Sequence, residues 1–109
     1  MKRKRYYRCL FGLVVAWIMW TKTESVFPVD PTYPRWEFAE IFSTESQCLS
    51  KVRDNVAGVK KMPEKFPELK GMFVNFDDRG YYTNIGGTVH HVTHFCVPDS
   101  IDPRPKDSK

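Results

Sequence analysis

Three histidines near the end of the chain have the spacing of candidate metal ligands, as His90-His91-x-x-His94. On a helix, His90 and His94 would share a face and could bind one metal ion. The flanking Gly-Gly-Thr-Val and Phe-Cys-Val segments instead favour a strand, in which residues four apart are separated by about 13 Å. Metal–nitrogen bonds are only about 2 Å long. We therefore expect no common metal site and no cofactor, and His90 and His94 remain the candidates if the segment is helical.

A pair of adjacent carboxylates, Asp77 and Asp78, could in principle act as an acid and a base. They precede Arg79-Gly80, however, and aspartates in such positions usually form turns by bonding nearby backbone groups. The chain contains no Gly-x-Ser-x-Gly motif, no phosphate-binding glycine loop and no Cys-x-x-Cys pair. The sequence therefore predicts no catalytic residues, and we expect that the protein is not an enzyme.

Two cysteines, Cys48 and Cys96, are the only ones after residue 25. A pair of cysteines in a small exported domain is typical of a disulfide. By the entropy of the ring that it closes, this bond would contribute roughly 4 kcal/mol to stability. The alternative is two buried free thiols, and we expect the disulfide.

The start of the chain has the pattern of an export signal. Residues 1–8 contain five basic side chains and no acidic one, and residues 9–20 are apolar except for Gly12. We interpret residues 1–25 as a signal peptide or an N-terminal membrane anchor. Thr23 and Ser25 are tolerable small residues for a cleavage site, whereas flanking aromatic residues favour an anchor. A helix over residues 6–20 would be only about 22 Å long, short of the roughly 30 Å of a bilayer core. Both alternatives stay open.

The net charge of +4 is a feature of this first segment. Residues 1–25 carry six basic side chains and one acidic one, whereas residues 26–109 carry eleven basic and twelve acidic ones. A nucleic-acid-binding domain would have basic residues clustered on its folded part. Here they alternate with acidic ones, so we expect no nucleic-acid partner.

The remaining residues predict a small α+β domain, with one helix on an antiparallel sheet in the order β-α-β-β-β. The helix signal is a capping box at Thr44 and Gln47, and Pro63 should end the helix near residue 61. The other expected segments are a Pro-rich spacer at 26–34, a domain over 35–98, strands at 35–42 (with a bulge or bend near 39–40), 71–76, 81–85 and 88–97, and a disordered tail at 99–109.

Aromatic side chains are more numerous than so small a core requires. Phe73, Tyr81 and Tyr82 fall on the predicted hairpin, and we take them as a candidate surface for a ligand or partner. The alternative is that the helix or the spacer covers them.

A resemblance to a family follows from the segments around the two cysteines. These are Trp36, Phe42-Ser43 and Cys48, and then Cys96-Val97-Pro98-Asp99-Ser100-Ile101-Asp102-Pro103-Arg104-Pro105-Lys106. The pattern resembles short exported bacterial proteins of uncharacterised function, which have a signal, an aromatic strand, a helix with one Cys and a near-terminal Cys followed by Pro-Asp/Glu-Thr/Ser-Val/Ile-Asp-Pro-Arg. Members often carry Gly before the final Pro-Lys, which this chain lacks. The resemblance implies export and a cysteine pair, and it implies no activity.

Taken together, these features predict a non-catalytic exported envelope protein that binds a protein or a ligand. We expect it to be periplasmic or secreted, or anchored in the inner membrane, with membrane contact only through residues 6–20 if they are not removed. One alternative is a small secreted inhibitor or effector. Another is a metal-binding protein or enzyme that uses His90, His91 and His94.

Overall fold

The computed structural model describes residues 16–105 in full. Of the preceding residues it describes only the backbone of two short antiparallel strands, β1 (Arg8–Cys9) and β2 (Gly12–Leu13). Residues 1–7, 10–11 and 14–15 of the predicted export segment, and residues 106–109 of the predicted tail, therefore lie outside the described residues.

The domain is one helix on a five-stranded antiparallel sheet, as the α+β prediction requires. The strands lie in the order β4-β3-β7-β6-β5. The elements after β2 are β3 (Trp17–Phe27), β4 (Arg35–Phe42), α1 (Glu45–Lys65), a 3-10 helix (Pro67–Leu69), β5 (Phe73–Val74), β6 (Gly80–Ile85) and β7 (Thr88–Pro98).

Strand β3 is the main difference from the predicted fold, because it comes before the expected start of the domain at residue 35. It spans eleven residues and pairs with β4 on one side and β7 on the other. The predicted order β-α-β-β-β is therefore preceded by one more strand, and the spacer is reduced to a loop over residues 28–34. An apolar run at residues 17–20 satisfies the pattern of an export segment as well as that of a buried strand, so the sequence alone did not separate the two.

The helix begins where the capping box predicts and ends later than expected. The backbone N–H of Gln47 donates to Thr44 Oγ1, and the Gln47 side chain accepts from the Thr44 N–H. Pro63 does not end the helix, because it lies in the last turn and deprives it of a single backbone hydrogen bond; Phe66 N–H still donates to the Met62 carbonyl. Within residues 16–105, no helix is both long enough and apolar enough to cross a membrane.

The turns follow their predicted chemistry. Asp77 Oδ1 accepts from the backbone N–H groups of Arg79 and Gly80, as expected of an aspartate that forms a turn. Gly86 and Gly87 have φ of +60° and +87° and connect β6 to β7.

Two of the sequence predictions concern the edge strands β5 and β4. Strand β5 is shorter than the predicted 71–76, because Gly71 and Asn75 have positive φ at its two ends. The bulge in β4 is confirmed: Met19 pairs with Glu40 and Trp20 with Phe38, which leaves Ala39 unpaired.

The tail over residues 99–105 makes specific contacts where disorder was predicted. Asp99 N–H donates to the Ala16 carbonyl, and Ile101 N–H donates to the Pro98 carbonyl. Arg104 forms an ion pair with Asp102, in which its Nη2 lies 2.6 Å from Oδ2. The bond from Asp99 to Ala16 holds the start of the tail beside the start of β3.

The core is small and centres on the predicted disulfide, which is confirmed. Met19, Cys48 and Val52 form its buried cluster, and Cys96 packs against them together with Trp17 and Phe42. The disulfide joins the first turn of α1 to β7 with 6.0 Å between the Cα atoms. Met19, the register partner of Cys96, is only 2% exposed. The bond therefore fixes the helix directly over the pair of central strands.

Opening the disulfide should lower the free energy of unfolding by roughly 4 kcal/mol, because it releases a long ring in the unfolded chain. We expect urea denaturation with reductant to show this loss for the natural chain. A Cys48→Ser/Cys96→Ser variant serves as the control. Its free energy of unfolding should already be lowered and should not change with reductant. Equal midpoints for the natural chain with and without reductant, once free thiols have been verified, would contradict the prediction.

Gly80 occupies a position where only glycine fits. A Cβ atom there would overlap the carbonyl oxygen of Val92, whereas a Cβ at the helical Gly58 meets no atom within 4 Å. We expect Gly80→Ala to lower the free energy of unfolding by about 1–3 kcal/mol through overpacking. Gly58→Ala should raise it by about 0.5–1 kcal/mol. Urea denaturation of the two variants should give shifts of opposite sign, and shifts of the same sign would be inconsistent with this packing.

Candidate functional site

The helix covers one face of the sheet and leaves the other face open. Side chains alternate along each strand, so Met19 and Cys96 point to the helix whereas Trp20 and its register partners Phe38 and Phe95 point away from it. We call this second side the open face. Among residues 16–105 no helix packs on it. Arg104 of the tail lies over it, with its guanidinium carbon 4.9 Å from the centroid of a Trp20 ring.

Four aromatic residues on the three strands β4, β3 and β7 form a cluster on the open face. Trp20 makes an edge contact with Phe38 at 6.2 Å between ring centroids, and Trp36 lies 5.6 Å from Phe95. Trp20 is buried, but Phe38 is 53% exposed. The indole N–H groups of Trp20 and Trp36 are buried and have no acceptor among the described residues. The cluster therefore combines an exposed apolar surface with two hydrogen-bond donors beneath it.

Strand β4 forms one edge of the sheet and one border of the open face. It pairs only with β3 in the described part of the chain, so the backbone groups on its outer edge meet no other strand there. Ile41, which is 57% exposed, extends the apolar surface along it. Glu37 and Glu40 are exposed and share the opposite, helix-side face through their partners in β3. The edge thus presents apolar groups on one side and, after Arg35 at its start, acidic groups on the other.

The other end of the open face is polar and centres on His91. Its Nδ1 lies 3.3 Å from Glu24 Oε1, and its Nε2 lies 3.4 Å from Thr93 Oγ1. The ring of Tyr82 stacks on the imidazole, with 4.3 Å between centroids and 11° between planes. An open groove beside this group is lined by Asp77, Asp78, Arg79, His91 and Thr93. Both ring nitrogens of His91 have protein partners. These contacts fix the position of the imidazole at this end of the open face.

The structure divides the predicted aromatic surface between the two faces of the sheet. Phe73 and Tyr81 lie together on the helix side, with their ring centroids 5.8 Å apart, and Phe76 lies 5.6 Å from Tyr81. Burial raises the pKa of Tyr81 above its ordinary value of 10.0. Tyr82 is the next residue of the same strand and therefore points to the open face. Only Tyr82 of the three belongs to the open face.

The three histidines lie on β7, which is the strand that their flanking residues predict. His90 and His94 share the helix side, and His91 points to the open face. The ring of His90 lies 4.9 Å from that of Tyr33, and His94 Nδ1 is 2.9 Å from Thr21 Oγ1. Within the described part of the chain, no three His, Cys, Asp or Glu side chains are placed to hold a metal ion.

Comparisons with known proteins add no family or relative: no protein-family model, curated protein or solved structure matches this chain. The open face must therefore be judged from its own geometry. Sequence reasoning missed Trp20 because it lies in the apolar run assigned to export. The alternation of Trp36 and Phe38 about Glu37 was visible and indicated a strand, but the sequence did not show which side the helix would leave open.

His94 should make stability depend on pH. It is 8% exposed, and burial lowers its pKa below the ordinary value of 6.5. Below pH 6.5 the unfolded chain therefore takes up a proton more readily than the folded chain does. The free energy of unfolding should fall as the pH is lowered from 7.5 to 5.5, by at most about 1.4 kcal/mol per pH unit for this one proton.

Urea denaturation of variants at several pH values tests this assignment. His94→Gln should flatten the dependence between pH 5.5 and pH 7.5 and can still accept a hydrogen bond from Thr21. His90→Gln, on the same strand and face, is the matched control for the loss of one imidazole. A His94→Gln variant with an unchanged slope would show that another group is responsible.

Proposed function

We propose that the protein is a small exported, non-catalytic binding module of the bacterial envelope. In this proposal an extended segment of a partner protein adds to the sheet along β4. The observation that carries it is the open aromatic face bordered by β4, an edge strand that pairs only with β3 among the described residues. Export is supported by the basic and apolar start of the chain and by the Cys48–Cys96 disulfide, a bond that persists in oxidising compartments.

Addition of a strand suits the outer edge of β4. A segment that binds there gains main-chain hydrogen bonds, and its alternating side chains supply specificity. Side chains on one side of such a segment would meet Trp36, Phe38 and Ile41. Those on the other side would meet Glu37 and Glu40. The matching partner therefore alternates apolar residues with basic ones.

Charge also argues against a second copy of this chain as the occupant. In the antiparallel register that pairs all eight residues of two β4 strands, Glu37 of one copy would oppose Glu40 of the other. Like charges directly opposite each other destabilise a strand pair. Exposed edges commonly carry charged residues that prevent such self-association. The same two carboxylates would attract a basic segment.

Synthetic peptides test the proposal directly. We expect a ten-residue peptide that alternates Lys and Val to bind, and one that alternates Glu and Val to bind more weakly. Each opposite-charge pair across strands contributes roughly 0.2–1 kcal/mol, so two pairs correspond to a preference of roughly two- to thirty-fold. Amide shifts in nuclear magnetic resonance spectra should be largest along β4, and the fluorescence of Trp36 should change.

Charge-reversal variants separate a specific site from net charge. Glu37→Lys/Glu40→Lys should reverse the preference between the two peptides. Glu45→Lys/Glu64→Lys changes the net charge equally at the exposed ends of α1 and should leave the preference unchanged. No binding of either peptide, or the same response from both double variants, would overturn strand addition at β4.

A further inference from the structure

The five-stranded sheet of the domain includes the chain from Trp17 onward. Strand β3 starts at Trp17, which pairs with Phe42 on one side and Pro98 on the other. Trp17 also packs against the core cluster. Ala16 itself contributes one backbone contact, the hydrogen bond that its carbonyl accepts from Asp99 at 2.9 Å. The sheet can therefore form only if the chain is kept from residue 17 onward.

Cleavage after Ser25, the position expected from the sequence, is incompatible with this sheet. It would leave only Val26 and Phe27 of a strand that spans eleven residues. The lost residues would include Met19, one of three in the buried core cluster, and Thr21, the hydrogen-bond partner of His94. A domain with so small a core could not retain its fold without the strand that joins β4 to β7.

A membrane anchor over residues 6–20 conflicts with the same observation. Residues 17–20 lie in β3, between two hydrogen-bonded strands, so they are not available to a helix in the bilayer. The apolar segment that remains is residues 9–16. As a helix it would be about 12 Å long, against the roughly 30 Å of a bilayer core. It is too short to span, but its apolar core of residues 9–15 meets the lower limit of about 7 residues for a signal peptide.

We propose that signal peptidase removes residues 1–16 by cleaving between Ala16 and Trp17. Ala16 supplies the small side chain required at the last position of the signal, and the compact Val14 is at the third-last position. Water adds to the Ala16 carbonyl carbon and the bond to the Trp17 nitrogen breaks, which gives a carboxylate on Ala16 and an amino group on Trp17. This inference rests on the proposed export, and it makes the product a free envelope protein with β3 complete.

The first residue of the exported protein distinguishes cleavage after Ala16 from cleavage after Ser25 and from no cleavage. The full chain with an affinity tag after Lys109 is expressed in a bacterial host, the cell is fractionated, and the protein is analysed by terminal sequencing and intact mass. We expect a periplasmic product that begins at Trp17. Ala16→Phe should block processing and leave the precursor with the membrane fraction. Ser25→Phe, the matched control at the alternative site, should be processed after Ala16 as in the natural chain, whether or not it then folds.

The outcomes separate this inference from the proposed export. A product that begins at Val26, or an exported chain that keeps residues 1–16, would overturn cleavage after Ala16 and leave export standing. An unprocessed chain confined to the cytoplasm, in a host that exports a control protein, would overturn both. Normal processing of Ala16→Phe would also count against the site.

Discussion

The disulfide between Cys48 and Cys96 is the constraint on which the rest of the domain depends. It joins the first turn of a 21-residue helix that has only three buried residues, Cys48, Val52 and Val56. Hydrophobic burial on this scale holds a helix weakly. The covalent bond compensates, because it fixes the start of α1 over the register pair Met19 and Cys96. It also determines which face of the sheet the helix covers.

Because α1 is held on one face, the aromatic side chains of the other face pack mainly against one another. Trp20 becomes buried in this way, but Phe38 remains half-exposed and two indole N–H groups lack an acceptor among the described residues. An unpaired buried donor costs roughly 1–3 kcal/mol. The proposed binding rests on this combination of exposed apolar groups on the open face and acidic residues on the other side of β4.

Local signals predicted local structure well. The capping box at Thr44, the turn at Asp77 and the cysteine pair each depend on short-range geometry or simple pairing, and each was predicted from the sequence. The position of β3 was not predicted, because the apolar residues 17–20 fit both an export segment and a buried strand. The choice between the two depends on pairing with residues far along the chain. The same non-local pairing decides that Tyr82, rather than its neighbour Tyr81, reaches the open face.

The pairing of β3 with β7 joins the two ends of the domain. Trp17 opposes Pro98, so the two central strands can form their ladder only after almost the whole domain has been made available. Contacts between residues so far apart in sequence form slowly. In the proposed export, the chain would therefore lack its central sheet during translocation, and the bond between Cys48 and Cys96 would close in a compartment where thiols are oxidised. The proposed cleavage after Ala16 would then release a chain in which β3 and β7 pair only after translocation.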